Sequence, residues 1–158
     1  MALSLERNLT TFAGLHEEEL RNHFLLQLNG TFEGAAAAEL FNGAGKTDIL
    51  VRIENRNVFI GECKIWTGES AFASAIDQLL GYTVWRDSKA ALVLFIKQKD
   101  ATAIVEKADS VIRKHSNFKR LGAPSPDASS RRNYVVHQTD DENREIQLAL
   151  LPVVIRQL

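Results

Sequence analysis

Apolar positions along the chain fall into blocks whose spacing changes from helical to extended and back. In His16 to Asn29 (HEEELRNHFLLQLN), Leu20, Phe24 and Leu28 recur every four residues, and Asn29-Gly30 marks a stop. Projected at about 100° per residue, Glu17 and Arg21 fall on that inward stripe, Glu18 on its border, and Glu19 away from it. A glutamate on a buried stripe has two readings: an ordinary i,i+4 ion pair of Glu17 with Arg21, or a carboxylate held for a site. Thr31 to Phe41 is mixed. Its alanines favour a helix, while Gly30, Gly34 and the turn-like Asn42-Gly43-Ala44-Gly45 favour a short strand over Ala37 to Phe41.

Two β-rich runs follow, Thr47 to Ile53 and Val58 to Ile65, joined by a polar Asn55-Arg56-Asn57 turn; together they predict a hairpin. Glu69 to Arg86 predicts a helix whose inner face is Phe72, Ile76, Leu79, Leu80 and Thr83, with Gln78 and Tyr82 one turn apart on its flank. Ala90 to Ile96 (AALVLFI) reads as an interior strand covered on both faces. Thr102 to His115 predicts a second amphipathic helix, and Leu121 to Arg131 a loop. Asn133 to His137 and Ile146 to Ile155 read as two closing strands around an acidic turn, with Pro152 suggesting an edge or bulge in the last. The order is helix, three strands, helix, strand, helix, two strands. That predicts one α/β domain over residues 1–158, a mixed sheet with helices packed on it.

Composition narrows the function classes. A 45% hydrophobic and 25% charged chain with formal charge −1 is an ordinary globular sequence, so binding to a polyanion has to come from a local patch. Its single cysteine, Cys63, rules out an internal disulfide, and four scattered histidines form no zinc motif. No basic-then-apolar leader and no run of eighteen apolar residues is present, which predicts a cytoplasmic protein without a membrane partner.

The chemistry lies where the pattern breaks. Asp48, Glu62 and Lys64 interrupt the two apolar runs of the hairpin, although stripping water from a charged group costs several kcal/mol unless it is paired or holds a metal. Glu62 and Lys64, two apart on a strand, share a face. Asp48 joins them only if parity allows. A two-residue loop pairing Glu54 with Asn57 puts Asp48 on the wrong face. A three-residue loop of Asn55, Arg56 and Asn57, with Asn57 left-handed, pairs Asp48 with Lys64 and gathers all three; a bulge does the same. Two converging carboxylates suit Mg²⁺, and a lysine beside them suits stabilisation of charge in phosphodiester hydrolysis. The bland alternative is a cross-strand salt-bridge cluster on a solvated face. Glu39 reads as a solvated strand-edge carboxylate, and Cys63 as a small buried hydrophobe. Lys46, Arg52, Arg86, Lys89, Lys114, Lys119, Arg120, Arg131 and Arg132 form either a phosphate-contacting rim or a mixed solvated surface.

Asp48 in KTDIL, Glu62 and Lys64 in GECKIW, and the helix carrying Gln78 and Tyr82 in QLLGYTVWR resemble the PD-(D/E)XK nuclease superfamily, in particular its resolvase-like and RecB-like branches. The resemblance covers about residues 15 to 97, and Thr47 stands where the motif often has proline. It implies a restriction-endonuclease-like αβββαβ core extended by a C-terminal helix and strands. It also implies a Mg²⁺-dependent nuclease, with Mn²⁺ able to substitute, acting on nucleic acid and on DNA ahead of RNA. Asp48, Glu62 and Glu17 would be metal ligands, Lys64 the catalytic cation, and Glu18 and Gln78 supporting groups. A homodimer, or an added recognition domain or partner protein, belongs to the arrangements the resemblance implies. The rival reading is a non-catalytic nucleic-acid-binding or assembly module that keeps the nuclease fold.

Overall fold

The computed structural model describes residues 2–31, 36–37, 40–42, 45–54 and 56–156. Helices α1 (Ala2–Arg7), α2 (Leu9–Phe12) and α3 (Glu17–Thr31) come first, then strands β1 (Ala36–Ala37), β2 (Leu40–Asn42), β3 (Gly45–Thr47), β4 (Ile49–Ile53) and β5 (Arg56–Ile65). Helix α4 (Glu69–Gly81), β6 (Lys89–Ile96), α5 (Ala101–Lys114), β7 (Phe118–Leu121), β8 (Arg132–Gln138) and β9 (Asp141–Val154) complete the described chain. The result is an α/β fold: an open mixed sheet in the order β1-β4-β5-β6-β9-β8-β7, with β2 and β3 paired separately.

The sheet separates two apolar layers. Leu50 and Ile60 face α4 and α5 with Leu92, Leu94 and Phe72, while Ile49, Val51 and Cys63 face α1 and α3 with Leu20, Phe24 and Val93. β6 is buried on both sides, as its continuous apolar run predicts. β5 and β6 are parallel and joined by α4, a crossover that has to run back across one face of the sheet. Gly68 opens α4 at φ 140°, a conformation that favours glycine.

Several expectations need correction. The first long helix runs through Asn29 and Gly30 to Thr31, because neither residue forbids one further turn. The α4 helix stops at Gly81, and Thr83 closes its end by donating to the Leu80 carbonyl at 2.7 Å. Part of the predicted loop over Leu121 to Arg131 is taken by the end of β7, an edge strand too polar to announce itself. The predicted strand over Ala37 to Phe41 is divided between β1 and β2, and its middle, like the middle of the Asn42 to Gly45 turn, lies outside the described residues. β9 lies inside the sheet, between β6 and β8. Its odd-numbered amides point at β6, since Gln147 and Ile155 donate to Ser88 and Ile96, so Pro152 points its missing N–H the other way. There β8 has already ended at the Arg132–Leu150 pair, which makes Pro152 a local edge position.

The central hairpin is closed by a two-residue loop, Glu54 and residue 55, between the paired Ile53 and Arg56. Asn55 lies outside the described residues, and Glu54, not Asn57, takes the positive φ of 49°. Alone, that loop would leave Asp48 on the wrong face. A bulge between Val51–Phe59 and Arg52–Asn57 inserts Val58 and restores the parity. Beyond it Ile49 opposes Gly61, so the register carries Asp48 to Glu62 instead of the expected Lys64.

Gly61 fits this pairing because it lacks a side chain: a Cβ there would lie 3.2 Å from Ile49 Cβ and 3.3 Å from Phe59 Cζ. Gly61→Val is expected to destabilise the protein by about 1–3 kcal/mol through overpacking, read as a lower urea midpoint with unchanged slope.

Candidate active site

Asp48 occupies the bend between β3 and β4, and its carboxylate is aimed by the backbone of β5. Oδ2 accepts the Cys63 N–H at 2.9 Å, and Oδ1 accepts from Arg21 Nη1 at 3.2 Å. The preceding Thr47 is buried, with its hydroxyl 3.1 Å from the Ile49 carbonyl and 3.0 Å from that of Gly61. One proton shared between those oxygens fastens the bend to β5. Proline could offer no such bond.

Glu17 enters from the first residue of α3. His16 and Glu19 cap that helix, with Glu19 Oε2 accepting the His16 N–H at 2.7 Å, in the manner of a capping box. Glu17 is thereby free to reach β5: Oε2 accepts the Ile65 N–H at 2.8 Å and Oε1 lies 3.7 Å from Lys64 Nζ. Arg21, one turn on, is buried and pairs with Asp48 rather than with Glu17. Glu18 faces outward and meets Arg21 at 3.5 Å.

Glu62 is the least comfortable group. It is only 7% exposed, and Oε2 is buried with no hydrogen-bond partner among the described residues. Burial first, then the charges of Asp48 and Glu17, push its carboxyl up to about 8 against an ordinary value of 4.5; Lys64 and Arg21 offset only part of this. The acid therefore keeps its proton at neutral pH. Burial first, then the charges of Asp48, Glu62 and Glu17, raise the Cys63 thiol, which remains an inert hydrophobe.

The structure thus brings together Asp48, Glu62, Lys64 and Glu17, and adds Arg21. The signal for Arg21 was present in the sequence, an arginine on the apolar stripe of a helix, but its long-range partner was not. Gln78 is exposed on α4 and makes no hydrogen bond to the cluster among the described residues. Tyr82, at the end of the same helix, lies closer: its phenol is raised first by burial and then by the charges of Glu62 and Asp48. Glu39 lies outside the described residues. A cleft of about 460 Å³, lined by Glu17, Arg21, Asp48, Ile65 and Thr67, opens beside the cluster.

Among the described residues, no three His, Cys, Asp or Glu side chains converge closely enough to form a complete metal cage. The donor set is nevertheless suited to a hard cation that retains its waters: carboxylate oxygens only, one of them buried and unpartnered.

Because folding raises the Glu62 pKa, this group favours the folded state most at low pH. That stability is fully present below about 4.5, is lost as pH rises from there through about 8, and changes no further above it. The loss is on the order of 5 kcal/mol. Glu62→Gln is expected to flatten the stability profile across this window. Urea titrations at acid, neutral and mildly alkaline pH measure it, and equal slopes in both proteins would contradict the assignment.

Comparisons of the chain with protein-family models, with curated proteins and with solved structures found no match, so geometry and chemistry alone carry the functional reading.

Proposed function

We propose that this protein is a divalent-cation-dependent nuclease of the PD-(D/E)XK type, built on a restriction-endonuclease-like core, hydrolysing phosphodiester bonds in DNA ahead of RNA. The observation that carries the reading is Glu62: a buried carboxyl with an unpartnered oxygen, beside Asp48 and Glu17, with Lys64 two residues on along the same strand. A solvated salt-bridge cluster would not bury Glu62 without a partner.

Asp48 and Glu62 would hold Mg²⁺ or Mn²⁺, with Glu17 behind them. When bound there, such a cation would supply neutralisation of a phosphate oxygen and a lowered pKa for its water. The Asp48 carboxylate is held in place by the Cys63 amide, so it enters the reaction already oriented. Lys64 is partly exposed, tethered to Glu17 and able to offer its ammonium to charge developing on phosphorus-bound oxygens. Arg21 holds Asp48 in position. One observation favours the rival, a non-catalytic module: the Arg21 guanidinium occupies the Asp48 oxygen that a cation would need. For that reading, Mg²⁺ and Mn²⁺ should leave the melting temperature unchanged, and no DNA or RNA should be cut.

Under the nuclease reading Lys64→Ala, at a partly exposed position, is expected to lower Mg²⁺-dependent nicking of supercoiled DNA by at least about a hundredfold while leaving the melting temperature close to that of the parent. Cation binding near pH 7.5 is expected to expel the Glu62 proton, because the ligand has to ionise. Calorimetry in two buffers of different ionisation enthalpy reads that release, and Glu62→Gln should abolish it.

A further inference from the structure

At the opposite end of β5 from Lys64 lies a second cavity, of about 600 Å³, that takes no part in the cluster. Its walls are Arg52 and Arg56 from the β4–β5 hairpin, Trp85 and Arg86 from the segment after α4, and Arg144 from β9. Four guanidinium groups in one pocket repel one another, whereas several arginines elsewhere are paired with carboxylates: Arg113 with Asp109, Arg120 with Glu145, and Arg132 with Glu106, although the Arg131 guanidinium donates only to the neutral Asn133 Oδ1 among the described residues. Here no carboxylate lies within ion-pairing distance of any of the four among the described residues. Arg52 donates to the neutral Asn57 Oδ1 at 3.0 Å, and Arg144 to the Trp85 carbonyl, while Arg56 and Arg86 are exposed with no such bond among the described residues. Two carboxylates are close by and already engaged, Asp87 in the pocket wall itself and Asp141 beside Trp85. Asp87 accepts from Asn57 Nδ2 at 2.8 Å and from the Val84 N–H at 2.7 Å, tying the hairpin to the segment after α4, and Asp141 accepts from Trp85 Nε1 at 3.3 Å.

Trp85 gives the pocket its second property. Arg144 lies 4.6 Å from the ring centroid, and the residue is still 59% exposed, whereas the other tryptophan, Trp66, is buried in the core. An indole held by a backbone-anchored arginine and an Asp141 hydrogen bond is a fixed platform for a flat ring, and the surrounding guanidiniums suit phosphates. Paired bases in a duplex do not offer their faces to such a platform; unpaired bases do.

We propose that this pocket binds an unpaired nucleic-acid strand, with Arg56 and Arg86 on its phosphates and a base stacked on Trp85. Six residues of extended β5 separate Arg56 from Glu62, about 20 Å. Tyr82, whose phenol feels the charges of Glu62 and Asp48, precedes Val84 and Trp85 of the pocket by two and three residues. A strand anchored at Trp85 therefore has a route along the end of α4 to the cluster. The proposal rests on the nuclease reading only for what becomes of the strand; the binding itself does not require it.

The test uses the whole chain in EDTA, so that no cleavage intervenes, with a fluorescein-labelled oligothymidine followed by anisotropy over a range of salt concentrations. The double substitution Arg56→Ala, Arg86→Ala is expected to weaken binding at least about tenfold and to make the salt slope shallower by about 1.4, two phosphates at ~0.7 each. Trp85→Ala is expected to weaken the oligothymidine about fivefold or more with the slope retained, and to leave the affinity for a duplex of equal length unchanged. Arg120→Ala, at an ion-paired arginine outside the pocket, should change neither. Unchanged affinity and slope in the double variant would overturn the proposal. So would competition by thymidine monophosphate or inorganic phosphate at the concentration at which unlabelled oligothymidine competes, which would mark a small-anion site. If the double variant loses binding while the parent cuts no substrate with Mg²⁺ or Mn²⁺, the pocket stands and the nuclease reading fails.

Discussion

Charge balance inside a partly desolvated cluster is the constraint to which the surrounding structure answers. Setting aside the solvent-exposed Glu18 and counting Asp48 and Glu17 as anions and Arg21 and Lys64 as cations, the rest of the cluster is neutral only while Glu62 keeps its proton, and a Glu62 carboxyl pushed up to about 8 does keep it at neutral pH. An ionised Glu62 would leave a net negative charge in a place with little water. A proton is one way to supply the missing positive charge, and a cation is another. Desolvation without a hydrogen-bond partner for Oε2 is thus at once the largest local destabilisation and the strongest indication of chemistry.

Everything needed to hold that balance comes from the pairing of β4 with β5. The bulge at Val58 decides which face Asp48 takes, Gly61 lets Ile49 approach, and Thr47 fastens the bend through which Asp48 reaches the Cys63 amide. On the other side of the sheet α3 can deliver Glu17 and Arg21 only because Leu20 and Phe24 pack it against Ile49 and Cys63. Packing of the core and placement of the charges are therefore one problem. A shift of one residue in the hairpin would exchange the two apolar layers and scatter the carboxylates.

The parts of this arrangement governed by local periodicity were legible in the chain. The helices around Phe24 and Phe72, the buried run of β6 and the shared face of Glu62 and Lys64 follow from spacing alone. The parity requirement on Asp48 was legible too, but not how it would be met. Two solutions, an odd loop and a bulge, satisfy it equally, and the choice depends on Glu54 adopting a positive φ that glutamate does not announce. The partner of Arg21 stayed open because an i,i+4 partner is visible in sequence, whereas Asp48, 27 residues away, is not. β7 and the interior place of β9 were hidden for a related reason. Their positions depend on which strand ends where, and Pro152 is tolerated only because β8 stops two residues short of it.

The distal arginines show a further limit of the same kind, and how it is overcome. Arg52 and Arg86 stood in the sequence among nine cations that form either a phosphate-contacting rim or a mixed solvated surface, and Arg56 and Arg144 did not stand out at all. What distinguishes them is the contrast with Arg120 and Arg132, which the fold neutralises with Glu145 and Glu106. A protein that pairs Arg120 and Arg132 with carboxylates and gathers four other arginines around one pocket retains repulsion that its own side chains could have relieved. β5 links that uncompensated positive charge at one end with the cluster of carboxylates at the other. The strand is polarised along its length, positive at Arg56 and acidic at Glu62, and a phosphodiester chain lying along it would meet attraction first and the cation-seeking carboxylates last.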